Sequence, residues 1–131
     1  MRIVFDTNVL IAALITAEGV CGNLVKHCAQ VHTPITSEFI LNELREKLTE
    51  KFKKKPLDVD DAVALFRSKF VIVEPAALEA PVCRDPDDDT VLGTAIAGEA
   101  QCIITGDKDL LALVQYAGIG IFNPHAFEDY E

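Results

Sequence analysis

What most constrains the fold of this chain is an alternation of short strand-like runs with longer segments of helical spacing. The strand candidates are RIVF (2 to 5), residues 31 to 35, FVIV (70 to 73), QCIIT (101 to 105) and IGIF (119 to 122). Between them, helices are expected at 8 to 15, 19 to 30, from Thr36 or Ser37 to about Phe52, 58 to 69, from Asp87 or Asp88 to about Glu99, and 108 to 116, followed by a tail. Parallel strands need long crossovers, usually helical, and parallel sheets are covered on both faces. The pattern predicts an α/β fold with a central parallel five-stranded sheet, and residues 1–131 as one domain. No repeat, low-complexity tract or linker interrupts it.

In such sheets, sites form beyond the carboxyl ends of strands, where the winding reverses. Asp6 ends the first strand in IVFDTNVL, and Asp107 follows QCIIT in IITGDKDLL. If those two strands are neighbours, the two carboxylates converge. Glu43 lies at the border of the buried stripe of its helix, between Phe39 and Ile40. A further acidic run stands in CRDPDDDTVLGTAIA. An unpaired buried carboxylate is costly, and several together raise one another's pKa. Only Lys108 supplies a cation in the two strand-end segments. A divalent cation is then the natural counter-charge. Oxygen-only ligands favour Mg2+ or Mn2+, which suit phosphodiester hydrolysis. Each acid also has a simpler reading: Asp6, the Asp87–Asp89 run and Asp107 cap helices, and Glu43 is a solvated helix residue. Only their joint order along one α/β chain favours chemistry.

The net charge of −9, from 21 acidic and 12 basic residues, argues against a protein that coats nucleic acid by neutralising phosphates. It does not argue against a metal-dependent enzyme acting on one. Lys51, Lys53, Lys54 and Lys55, with Phe52 among them, form a basic patch. It reads first as a solvated helix end, then as a weak RNA- or partner-binding surface. Cys21, Cys28, Cys83 and Cys102 form no CxxC pair, and His27, His32 and His125 form no ligand motif. No apolar run approaches the ~20 residues of a membrane span, and MRIVFD does not resemble a signal peptide. A cytoplasmic protein with no membrane partner is expected.

Asp85, Asp87 and Asp89 match calcium-loop positions one, three and five. The loop's required Gly and Glu are Thr90 and Ile96 here, so that reading fails. No GxxxxGK, dinucleotide loop or GxSxG is present. A haloacid-dehalogenase-type phosphatase also places an Asp after its first strand, but it needs a second acid two residues on, where this chain has Asn8.

IVFDTNVL, SEFILNEL, RDPDDDTVLGTAIA and CIITGDKDLL, in this order, resemble the PIN-domain ribonucleases, including the VapC-like toxins of toxin–antitoxin systems. The resemblance covers nearly the whole chain. It implies a three-layer α/β/α sandwich and a Mg2+- or Mn2+-dependent endoribonuclease leaving 5′-phosphate and 3′-hydroxyl ends. It also implies an RNA substrate, a small antitoxin partner and a tendency to homodimerise. Asp6, Glu43, Asp89 and Asp107 fall on the family's acidic, metal-holding positions. Asp89 is chosen over Asp87 and Asp88 by the register of the aliphatic and small residues that follow. Asn8 and Thr105 match supporting polar positions, and Asp109 is an outer residue. Gly93 stands where a helix interior prefers alanine, which suggests either close packing or a shifted helix register. A PIN-fold module that binds RNA or protein without catalysis is the alternative.

Overall fold

A computed structural model describes all 131 residues. The chain runs β1 (Arg2–Phe5), α1 (Thr7–Ile15), α2 (Val20–Val31), β2 (Thr33–Thr36), α3 (Glu38–Glu50), α4 (Pro56–Lys69) and β3 (Val71–Ile72). It continues through α5 (Pro86–Ala97), β4 (Cys102–Ile104), α6 (Lys108–Leu113), β5 (Gln115–Tyr116), β6 (Ile119–Phe122) and α7 (Pro124–Tyr130). The strands form one sheet in the order β3-β2-β1-β4-β6-β5. Five of them are parallel, as the alternation predicts, within an α/β/α sandwich. The sixth, β5, was not anticipated. It pairs antiparallel with β6, Tyr116 opposite Ile119. The residues between them, Ala117 and Gly118, both have positive φ (50° and 81°), as a two-residue type I′ hairpin requires. α6 ends at Leu113, short of the expected residue 116, because Val114 takes φ 64°.

Parallel strands covered on both faces must be apolar at consecutive positions. Ile3, Val4 and Phe5 of β1 are all at most 1% exposed, and Cys102, Ile103 and Ile104 of β4 are fully buried. Each aliphatic or aromatic side chain so buried contributes about 1.5–3 kcal/mol relative to exposure. Twenty-nine buried apolar residues form one core cluster around these two strands. α1 packs on α2 and α3, while α5 lies directly against β1 and β2.

β1 and β4 are hydrogen-bonded neighbours, with Phe5 opposite Ile104. From β1 the chain winds outward to β2 and β3. From β4 it winds the other way, to β6. The reversal therefore falls between β1 and β4, so a site is expected beyond their carboxyl ends. No single helix is long and apolar enough to cross a membrane.

Candidate functional site

The ladder positions the first acid. The Asp6 amide donates to the Ile104 carbonyl (2.9 Å), so β1 and β4 stay paired one residue beyond the strand proper. Asp6 then caps α1: its Oδ1 accepts from the Thr7 amide at 2.8 Å. Its Oδ2 accepts from the buried Thr105 hydroxyl at 2.7 Å. That hydroxyl in turn accepts from the Asp107 amide at 2.9 Å, so Thr105 links the two strand-end acids through one oxygen. Asp107 caps α6, its Oδ2 accepting from the Leu110 amide at 2.9 Å. The capping and the chemical readings thus apply to the same side chains. Each cap uses one carboxylate oxygen.

Asp6 is 6% exposed. Burial raises its pKa. The hydrogen bonds from Thr105 and Thr7 and the charge of Lys47 oppose that, and the charge of Asp107 adds to it. The Thr7 hydroxyl donates to Glu43 Oε1. Lys47, one turn after Glu43 on α3, donates to Asn8 Oδ1 at 3.2 Å and stands 4.0 Å from Glu43. A chain of contacts therefore runs from Glu43 through Thr7, Asp6 and Thr105 to Asp107. Asn8 stands at its edge, bonded to Lys47.

The acidic run of α5 is placed differently from the sequence reading. Asp85 is the N-cap, accepting from the Asp87 amide at 2.9 Å, and Pro86 is the first helical residue. The helix starts two or three residues earlier than expected, since the cap is Asp85 and not Asp87 or Asp88. Asp89, the position taken from the sequence pattern, points to the preceding loop. Its oxygens accept from the Cys83 amide (2.8 Å) and the Val82 amide (3.2 Å). Partial burial works to raise its pKa, but these hydrogen bonds hold it below the usual carboxylate range. Asp88 takes the inward position. Its carboxylate lies with those of Asp107 and Asp109, the ligand atoms of all three within 4.8 Å of one another. Burial pushes the Asp88 pKa up to about 7, assisted by the charges of Asp107, Asp6, Asp85 and Asp109. Asp109 is gripped by Arg84, whose Nη2 and Nε donate to it at 2.7–3.2 Å; this holds its pKa low.

The donor set is oxygen only. Asp88 feels the charges of four further acids, and of the cations nearby Arg84 is engaged with Asp109 and Lys47 with Asn8. Such a group fits a hard divalent cation: the repulsion that makes Asp88 difficult to ionise is what a cation would relieve. The sequence reading does not single out Lys47, Thr7 or Arg84, and it prefers Asp89 to Asp88. Lys47 carried a signal, since it stands four residues after Glu43 on one helix face. Arg84 carried none.

Lys51, Lys53, Lys54 and Lys55 sit at the junction of α3 and α4, where Lys51 caps α3, Lys53 has φ 53° and Lys55 caps α4. None makes an ion pair, and Lys51 Nζ lies 5.7 Å from the Phe52 ring centroid. Phe52 also lines a groove of about 580 Å³ with Asn8, Ile11, Ile15 and Val20. At Gly93 the close-packing reading holds: a Cβ there would meet the Ala76 carbonyl oxygen at 2.2 Å. The Ala76 amide donates to the Gly93 carbonyl at 3.0 Å, so the loop leading to Arg84 rests on the backbone of α5.

Comparison with known proteins agrees with this architecture. Residues 2–109 match the PIN domain family. The uncharacterized protein MJ1680 of Methanocaldococcus jannaschii is 35% identical over 118 residues, covering 86% of this chain and 75% of that protein. VapBC2 from Rickettsia felis, bound to a DNA fragment from its promoter, superposes with a TM-score of 0.68 at 19% identity, over 94% of this chain and 98% of the other. VapC20 of Mycobacterium tuberculosis, a Sarcin-Ricin loop cleaving toxin, gives a TM-score of 0.59 at 16% identity, over 90% and 98%. The chain belongs to the PIN-domain family and has the fold of the VapC toxins.

Proposed function

We propose that this protein is a metal-dependent endoribonuclease that hydrolyses RNA phosphodiester bonds in the cytoplasm as the toxin of a toxin–antitoxin pair. The observation that carries the reading is the gathering of Asp88, Asp107 and Asp109 at the carboxyl edge of the sheet, with Asp6 and Glu43 tied to them through Thr105 and Thr7. Asp88 and Asp107, with Asp6 or Asp109, would hold Mg2+ or Mn2+. A bound ion of this kind activates water and offsets charge on the attacked phosphate. Asp88 takes the role that the sequence pattern gave to Asp89. Thr105 fixes the orientation of Asp6 and Asp107 together, so neither carboxylate must be ordered when substrate arrives. Glu43, steadied by Thr7 and Lys47, orients the attacking water. Arg84 neutralises Asp109 and stands at the mouth of the site, where a phosphate would meet it. RNA would be steered by Lys51, Lys53, Lys54 and Lys55. A small antitoxin protein and a second copy of the chain are the expected partners.

Incubation with a pool of structured and unstructured RNAs tests the reading. Cleavage is expected with Mn2+ and not with EDTA, and Asp6→Asn should abolish it. Cleavage persisting in EDTA or in Asp6→Asn would overturn the metal mechanism. No cleavage with any divalent ion would favour a non-catalytic binding module.

A further inference from the structure

A second group of ligand-type side chains lies at the opposite edge of the sheet. His27 is on α2, His32 caps the carboxyl end of that helix immediately before β2, and Glu131 follows α7. The sequence separates Glu131 from His32 by 99 positions, and nothing in the chain's spacing joins them. In the structure both imidazoles present Nε2 to one carboxylate. His27 Nε2 lies 2.9 Å from each Glu131 oxygen, and His32 Nε2 contacts Oε2. The ligand atoms of all three residues lie within 4.8 Å of one another.

The rings are oriented by packing as well as by the carboxylate. His27 and His32 meet edge to face, 5.8 Å between centroids at 87°, and His32 meets Phe127 of the core in the same manner, 6.2 Å at 87°. The His32 side chain is only 12% accessible, and its Nδ1 lies 3.0 Å from the Met1 amine. Two imidazole nitrogens and a carboxylate, converging on one point with the rings pre-set, form a donor set of borderline character. It differs in kind from the all-oxygen acidic group across the sheet. Cys28 is on the same helix as His27, fully buried, and its sulfur is not among the converging ligand atoms.

We propose that His27, His32 and Glu131 form a binding site for a zinc-class divalent ion that ties α7 to α2. Binding requires both Nε2 atoms without protons, so it releases protons. For His32 the remaining ring proton then resides on Nδ1 and donates to the Met1 nitrogen, which must itself give up a proton to accept it. The ion takes three protein ligands and leaves a position for water, and it fastens the last helix over the amino edge of the sheet.

The test uses the full chain carrying Asp88→Asn and Asp107→Asn, so that the acidic site does not compete, with Zn2+ and Co2+ as probes. One equivalent of Zn2+ is expected to bind by calorimetry and to raise the melting temperature, and Co2+ is expected to give ligand-field absorption bands. Removing an outer partner of a metal site already costs ~10–100-fold in affinity, so loss of a direct ligand should cost at least ~100-fold. His27→Gln and Glu131→Gln, each added to that background, should therefore both show this loss. All three ligands are at least partly accessible, and circular dichroism in EDTA checks that the variants keep the fold. Absence of Zn2+ and Co2+ binding would reduce the group to a His–Glu ion pair and overturn the proposal. So would binding that survives both substitutions. RNA cleavage is not read in this experiment, so its outcome stands apart from that of the nuclease reading.

Discussion

Asp88 and Asp89 are adjacent, yet their environments are opposite, and Asp88→Asn separates them in a metal-free measurement. An Asp in an unfolded chain titrates near 3.9, while Asp88 in the folded protein titrates near 7. Because the folded state holds this proton more tightly, the stability Asp88 contributes is present below about pH 4 and is lost as pH rises through about 7. Taken in full, the displacement corresponds to about 4 kcal/mol. Asp88 is partly open to solvent, and screening reduces this to ~1–2 kcal/mol. Asparagine carries no charge at either pH. In EDTA, Asp88→Asn should therefore exceed the wild type in stability at pH 8 by that amount, ~3–8 °C in melting temperature for a chain of this size. The gain should develop between about pH 4 and pH 7 and level off above that. Asp89→Asn should instead lose about 1 kcal/mol at both values, since one of the two amides of Val82 and Cys83 loses its acceptor. With Mn2+, Asp88→Asn should lose RNA cleavage and Asp89→Asn should keep it within about tenfold. A metal-free Asp88→Asn no more stable than wild type at pH 8, or a gain found in Asp89→Asn instead, would refute the placement of α5 and the electrostatic argument built on it.

Other outcomes follow from single contacts. Thr105→Val removes the hydroxyl shared by Asp6 and Asp107; cleavage at limiting Mn2+ should fall ~10–100-fold and recover in part at higher Mn2+. A loss independent of metal concentration would mean that Thr105 acts on folding instead. Gly93→Ala drives a methyl group into the Ala76 carbonyl and should cost ~1–3 kcal/mol by urea unfolding, with the cost absent if the 75–80 loop can lift away. Thr36 has a buried hydroxyl without a hydrogen-bond partner, so Thr36→Val should leave stability unchanged or raise it by up to ~1 kcal/mol. A loss larger than that would reveal a partner for the hydroxyl. Replacing Lys51, Lys53, Lys54 and Lys55 by alanine should weaken binding of single-stranded RNA. Each phosphate deprived of its lysine should lower the salt slope by ~0.7, and an unchanged slope would exclude the patch from the RNA path.

The parts of the fold legible in the sequence are those where one residue type has one use. Consecutive apolar residues in RIVF and QCIIT permit burial on both faces, and the structure buries them so. The hairpin of β5 and β6 was hidden because Gln115 and Tyr116 form too short a strand to show alternation, and the helical pattern of 108 to 113 ran on into it. Val114 breaks that helix with φ 64°, a conformation that a β-branched residue does not announce. α7 was legible and unread. Asn123 accepts from the Ala126 amide at 2.7 Å, and Pro124 begins the helix, which is a start signal of ordinary form.

The candidate site shows how narrowly such reading can turn. Asp6 and Asp107 are placed by the ends of strands, and strand ends are marked by abrupt changes from apolar to polar residues. The third acid is placed by a helix, where one residue is a rotation of about 100° and the cap decides everything downstream. The sequence offers Asp85, Asp87 and Asp88 as caps of equal chemical quality, but only Asp85 precedes a proline, and proline is favoured as the first helical residue. From that start, Asp88 lies three and four residues before Val91 and Leu92 and seven before Ala95, all at most 2% exposed. Residues so spaced share one face, so Asp88 heads the buried stripe and Asp89 stands beside it. The helix pattern therefore contained the placement that matching the motif by its small residues obscured. The carboxylate with the most to gain from a cation is the one aligned with the core, because the burial that orders the helix is also what raises the cost of its charge.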